Sequence, residues 1–162
     1  MVRNVHERAV EADAEAVGAL LDSLSLPDDR LWPTRRWPAM RLDHGLAIGS
    51  DGGHGPVRYA VARYEPGRLA AFAFTPKFPL AGEHRVEVLP APDGKTLLRH
   101  TLEGRPTSWL RLGWPLCFRW LHDALIEDGF DRAEAELAGV EWQPRKLPAH
   151  VRALRWVAGR LA

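Results

Sequence analysis

The chain has 162 residues, 46% apolar and 27% charged, so one globular domain with a real core is the expectation. Its 22 Lys and Arg against 21 Asp and Glu give a net charge of +1, which excludes a strongly basic nucleic-acid binder. The charge is uneven, because residues 139–162 hold Arg145, Lys146, Arg152, Arg155 and Arg160 against Glu141, 5 − 1 = +4, leaving −3 for 1–138. The single Cys117 rules out an internal disulfide, a CxxC motif and a cysteine-rich zinc site. The charged start, Met1 to Val10, is unlike a signal peptide, and no apolar stretch approaches the ~18 residues of a spanning helix. The expected location is therefore cytoplasmic.

Val2–Ala12 alternates loosely and predicts a first strand. Asp13 follows as a candidate N-cap for a helix over Ala14–Leu24, whose Val17, Leu20, Leu21 and Leu24 share one face. Asp28–Met40 sets Trp32, Trp37 and Met40 among prolines, predicting a helical turn and a loop suited to a mobile lid. Gly49–Pro56, with four glycines and His54, predicts a loop. Val57–Tyr64 and Arg68–Phe74 flank Glu65-Pro66-Gly67, a tight-turn signal. Pairing Tyr64 with Leu69 places Tyr59 opposite Phe74 and Val61 opposite Phe72 on one large-residue face, with alanines on the other. A second hairpin, His84–Leu89 and Lys95–Arg105, turns at Pro92-Asp93-Gly94. Its His84, Val86, Val88, Leu98, His100 and Leu102 share the apolar side.

After Pro106 the period becomes helical: Leu110, Trp114, Cys117, Leu121 and Leu125 recur every three or four residues, with Phe118 beside them, to about Leu137. Pro115 opens or kinks this helix. The order is α+β: a strand, a helical segment, a run of antiparallel strands and a long C-terminal helix. Beyond Pro148, Val151, Leu154, Val157 and Leu161 form a stripe flanked by Arg152 and Arg155, with Arg160 opposite. Such a short basic amphipathic helix can lie on an anionic membrane, engage a partner, or dock back on the acidic body; docking is favoured because a helix of ~12 residues gains most from tertiary packing.

In its opening strand and helix (HERAVEADAEAVGALLDSL), its turn-linked strands (VRYAVARYEPGRLAAFAF, HRVEVLPAPDGKTLLRHTLEGR) and its final helix (SWLRLGWPLCFRWLHDALIEDGFDRAEAEL), the sequence resembles the START/Bet v 1-like (SRPBCC) superfamily, which includes polyketide cyclase-like and lipid-transfer proteins. The resemblance covers roughly 2–138 and implies a helix-grip fold, a curved antiparallel sheet wrapped around the C-terminal helix with a ligand cavity between them. The superfamily has no universal catalytic residue to transfer. Residues 1–138 then form the helix-grip domain and 139–162 a basic extension.

Two function classes follow from that resemblance. One is a binder of an apolar small molecule or lipid, with no cofactor and no nucleic acid, lined by Trp32, Trp37, Met40, Tyr59, Phe72, Phe74, His84, His100, Trp114, Phe118 and His122. The other is a polyketide cyclase/aromatase-like enzyme, with His84, His100 or His122 moving protons. An interaction module acting through the basic tail is a third class. The aromatic set equally suits a filled core, and buried histidines must either bond one another or address a ligand. Asp128 falls on the apolar stripe with Arg132 four residues on, spaced for an ion pair; either the helix leaves the core there or the pair forms a charged rim to the cavity. The histidines are too dispersed in sequence to assign as metal ligands, the Gly-rich loop matches no phosphate-binding pattern, GxSxG is absent, and Cys117 reads as a packed thiol.

Overall fold

A computed structural model describes residues 1–161, with side chains as far as Ala158, so that Arg160 and Leu161 of the expected tail stripe fall outside the described side chains. Strand β1 (Val2–Val10) leads into helix α1 (Ala14–Asp22), where Asp13 Oδ1 accepts the Ala16 amide at 2.8 Å. That carboxylate satisfies one of the amides that the first turn leaves unpaired. After an irregular segment come β2 (Arg41–Leu42), β3 (Asp51–His54), β4 (Val57–Glu65), β5 (Leu69–Phe74), β6 (Leu80–Pro90) and β7 (Thr96–Pro106). They form one antiparallel sheet in the order β1-β7-β6-β5-β4-β3-β2.

The C-terminal helix is continuous through α2 (Leu110–Gly113), a π-turn (Trp114–Phe118) and α3 (Arg119–Leu137). Pro115 offers no amide proton, and the Arg119 amide reaches the Trp114 carbonyl five residues back. Proline therefore neither starts nor breaks the helix but is absorbed by one wider turn. Helix α4 (Ala149–Leu161) packs against α3. The architecture is α+β, a curved seven-stranded antiparallel sheet gripping a long helix: the helix-grip fold.

Register follows side-chain size. Tyr59 pairs with Phe74 and Val61 with Phe72, as the alternation requires, and His84, Val86 and Val88 pair with Leu102, His100 and Leu98. Near the first turn the expectation fails by one residue: a bulge between Val61 and Arg63 sets Tyr64 opposite Ala70 rather than Leu69. There the Tyr64 hydroxyl donates to Asp22 at 2.9 Å, tying the hairpin to α1. A bulge of this kind re-aims a side chain at the cost of one ladder position.

The glycine-rich stretch is also a correction, since half of it is strand rather than loop. A Cβ on Gly52 would lie 2.0 Å from the Arg41 carbonyl oxygen, and one on Gly53 1.9 Å from that of Val57. Glycine is required there because neighbouring backbones crowd the strand, a signal that composition alone reads as a turn.

The main core joins α1, the 31–46 segment, the inner faces of β4–β7 and the Leu125–Ala133 part of α3. A smaller cluster of Phe78, Leu80, Leu102, Leu110 and Trp114 fills the other end. Between the two clusters the packing is incomplete.

Candidate functional site

The gap between sheet and helix is a cavity of about 430 Å³. Its wall is overwhelmingly apolar, and the polar exceptions are few: His54, His84, His100, His122, Arg36 and Arg155. Of the residues expected from sequence, Trp32, Trp37, Phe74, His84, His100, Trp114, Phe118 and His122 line it. Three do not. Tyr59 and Phe72 are fully buried behind the wall, where their rings pack 5.3 Å apart, and Met40 faces a small neighbouring space of about 30 Å³. The sheet is twisted enough that residues on one face divide between cavity wall and solid core, a distinction that period-2 parity cannot make.

The histidines form a row inside the protein. His54 Nδ1 lies 3.0 Å from the Tyr59 hydroxyl, and the Tyr59 ring stands 4.7 Å from that of His84. His84 Nδ1 and His100 Nε2 are 3.4 Å apart, and the His100 ring is 5.0 Å from His122. Burial is the main reason why His54 is pushed down to about 3 and His84 and His100 lie well below the usual imidazole range. All three are neutral near pH 7.

A neutral imidazole has one donor and one acceptor nitrogen. The His84–His100 bond therefore leaves one donor and one acceptor over, whichever ring donates. These are His84 Nε2 and His100 Nδ1, both buried and without a hydrogen-bond partner. Leaving such groups unsatisfied costs about 1–3 kcal/mol each, which a solid core would not retain without a reason.

The roof is the segment from Asp28 to Met40, expected as a mobile lid and found fastened along its length. Asp29 Oδ1 accepts the amides of Leu31 and Trp32 at 2.9 and 2.7 Å, and Trp32 Nε1 donates to the Pro38 carbonyl at 2.8 Å. Asp128 stays buried, so the helix does not leave the core there. Nor does it pair with Arg132. Its carboxylate instead takes Arg36 Nη1 at 2.9–3.0 Å and Trp37 Nε1 at 2.7 Å. Arg132 donates to the Trp32 and Asp29 carbonyls. Helical i, i+4 spacing makes a pair possible, but the roof offered both residues better-buried partners.

Residues 139–158 contribute to the same site. Arg155 donates to the Arg36 carbonyl, its guanidinium lies 4.8 Å from the Trp37 ring centroid, and with Ala158 it reaches the cavity wall. Arg145 binds Asp131 at 3.0 Å, and Trp142 and Val151 are buried. Val157, at 47% exposed, departs from the expected stripe. Cys117 is half-buried, and burial raises its thiol.

Sequence reasoning missed a second polar region along β1. Asn4, His6 and Arg8, alternate residues of one strand face, all point at α3. Asn4 Nδ2 and His6 Nε2 reach Asp123 Oδ1 at 2.8 and 3.1 Å, and His6 Nδ1 meets Glu127 Oε1 at 2.6 Å. Arg8 serves Glu127, Asp131 and Glu134. Burial pulls His6 down, but the two carboxylates outweigh it and its pKa is raised. The signal was the parity of residues 4, 6 and 8 opposite the acidic repeat 123, 127, 131, 134. His54 was legible less easily, because its strand was read as loop.

No family model matches this sequence, and no curated protein does. Solved structures do match. A protein from Thermobifida fusca aligns with a TM-score of 0.65 at 15% identity, over 91% of this chain and 100% of that one. One from Nitrosospira multiformis gives 0.63 at 11%, over 84% and 96%, and CalU16 from Micromonospora echinospora gives 0.58 at 15%, over 98% and 84%. The likeness is one of fold. Among the described residues no helix is long and apolar enough to cross a membrane.

Proposed function

We propose that this chain is a START/Bet v 1-like (SRPBCC) protein that binds a hydrophobic small molecule or lipid between its sheet and C-terminal helix. The cavity carries the reading. At about 430 Å³ it lies within the roughly 300–1,000 Å³ of small-molecule sites, and it has their character, an apolar wall with a few polar groups. The spare donor and acceptor of the His84–His100 pair favour a ligand with a carbonyl or hydroxyl at one end.

The same pair favours a second reading, a polyketide cyclase/aromatase-like enzyme. A neutral imidazole with a free nitrogen in an apolar pocket can take or give a proton to a polyketone held against it. Loss of such a group typically costs ~10²–10⁴-fold in rate.

Native mass spectrometry of the purified protein is the test. We expect a co-purifying mass that is lost or weakened in Leu121→Trp, whose larger indole intrudes on the cavity, while the melting temperature changes little. Absence of any bound mass, together with failure to bind an apolar fluorescent probe, overturns the reading. Turnover of a polyketone that His100→Ala abolishes selects the enzyme over the carrier.

A further inference from the structure

Beside the cavity, the seam between β1 and α3 brings together His6, His122 and Asp123, each offering one ligand atom, with these atoms all within 4.8 Å of one another. Two of the separations are 3.1 Å, His6 Nε2 to Asp123 Oδ1, and 3.7 Å, His122 Nδ1 to the same oxygen. Zinc binds imidazole nitrogen at about 2.0–2.1 Å and carboxylate oxygen at about 2.0–2.2 Å, so tetrahedral ligand atoms stand roughly 3.4 Å apart. The two separations bracket that value, and the third pair of ligand atoms lies within 4.8 Å. An ion would draw the two imidazoles closer together around the carboxylate.

Two further observations point to a ligand here. Both ring nitrogens of His122 are buried without a hydrogen-bond partner, although the residue stands beside a carboxylate. The remaining nitrogen of His6 is held by Glu127 at 2.6 Å, and Asp123 also accepts from Asn4 at 2.8 Å. Metal-bound histidines characteristically have their second nitrogen fixed by a carboxylate in this way, and ligating carboxylates are themselves hydrogen-bonded. The side chains of His6, His122 and Asp123 are 13%, 15% and 25% exposed, so the cluster lies just beneath the surface of the seam.

The geometry points to a binding site for a divalent transition-metal ion of the zinc class, formed by His6, His122 and Asp123 and supported by Glu127 and Asn4. Two imidazoles and one carboxylate suit Zn²⁺ and its neighbours better than Mg²⁺ or Ca²⁺, which prefer all-oxygen sets. Three protein ligands leave a coordination position open, as in zinc sites that bind water or a substrate oxygen. Of the three ligands only His122 also lines the cavity, so the ion would stand behind the cavity wall, joined to it by one imidazole ring.

The test is titration of chelator-treated full-length protein with ZnCl₂ by calorimetry and with CoCl₂ by visible absorption. We expect one ion per chain at micromolar or tighter dissociation constant, and a cobalt spectrum of low coordination number. Asp123→Asn and His122→Gln should each weaken Zn²⁺ binding about 100-fold or more, beyond the roughly 10–100-fold expected for the supporting Glu127→Gln. If Asp123→Asn fails to fold, His122→Gln still decides, because no hydrogen bond of the fold depends on its nitrogens. His44→Ala, which removes an exposed histidine beside Asp43, should change nothing. No binding at millimolar zinc, or binding that survives both ligand variants, overturns the site and leaves the cavity reading standing. Apolar-probe binding by the metal-free protein separates the two.

Discussion

The C-terminal helix has two flanks that are held in opposite ways. Toward β4–β6 and the roof it meets neutral histidines, aromatic rings and empty space, and its single buried carboxylate, Asp128, is fully partnered. Toward β1 it is fastened by Asn4, His6 and Arg8 to an acidic row, between the apolar ends of the strand at Val2 and Val10. A helix buried on all sides would have to fill all the space around it. One anchored by charge along one edge can leave space along the other. The cavity is tolerable because the seam and the two core clusters position the helix without it.

The largest expected break in this comparison is Asp128→Ala. It strands Arg36 and the Trp37 indole under the roof, and removing one partner of a buried pair typically costs about 3–5 kcal/mol. In a domain of this size we expect a melting temperature lower by about 10 °C or more, read by calorimetry, with loss of apolar-probe binding. An unchanged melting temperature would show that the roof is held by packing alone.

Acid should separate the flanks next. His54, His84 and His100 are depressed in the folded state, so the unfolded chain takes up protons first as pH falls. Their contribution is complete above about 6.5 and drains away below it, toward about 3 for His54. On the seam, burial of Asp123 is opposed by His122 and by hydrogen bonds from His6 and Asn4, which together hold its carboxyl well below the usual range. His122, depressed by burial, loses its share together with the cavity histidines, but Asp123 and the raised His6 should hold the β1 edge further into acid. Residue-resolved NMR is expected to show β4–β6 broadening at a higher pH than β1 and α3; the reverse order would sink the assignment.

The smallest effect is expected from Arg8→Met, which cuts three ion pairs but remains partly solvated. A loss of about 1 kcal/mol, shrinking as salt is added, is the signature of such a network. A salt-independent loss would mean that the Arg8 stem over Phe130 matters more than its charge.

Much of the fold was legible. Alternation with size matching fixed the pairing of Tyr59 with Phe74 and set His84 and Leu102 on one side of the second hairpin, and the Asp13 cap and the helix end near Leu137 were read from local chemistry. What escaped depends on events between distant elements. Asp128 chose Arg36 across 92 residues rather than Arg132 on its own helix, because burial rewards the better-shielded partner. Tyr59 and Phe72 went behind the wall because the sheet curves, and Gly52 and Gly53 looked like a loop because close backbone approach leaves the same residue as a turn. The β1 seam was written in plain alternation, but with polar residues facing inward it runs against the usual reading of polarity as solvent exposure.

The π-turn at Pro115 gives the helix a change of phase. Residues before and after it are offset by about one position, or roughly 100° of rotation, from where an unbroken α-helix would set them. Leu110 and Trp114 are buried upstream of the offset, and Leu125 and Ile126 downstream, while Leu112 and Leu116 are left 73% and 71% exposed. Deleting Pro115 would keep every hydrophobic residue but turn Trp114 away from the cavity. The shape of the pocket is set in part by a count of residues, a property that composition does not carry.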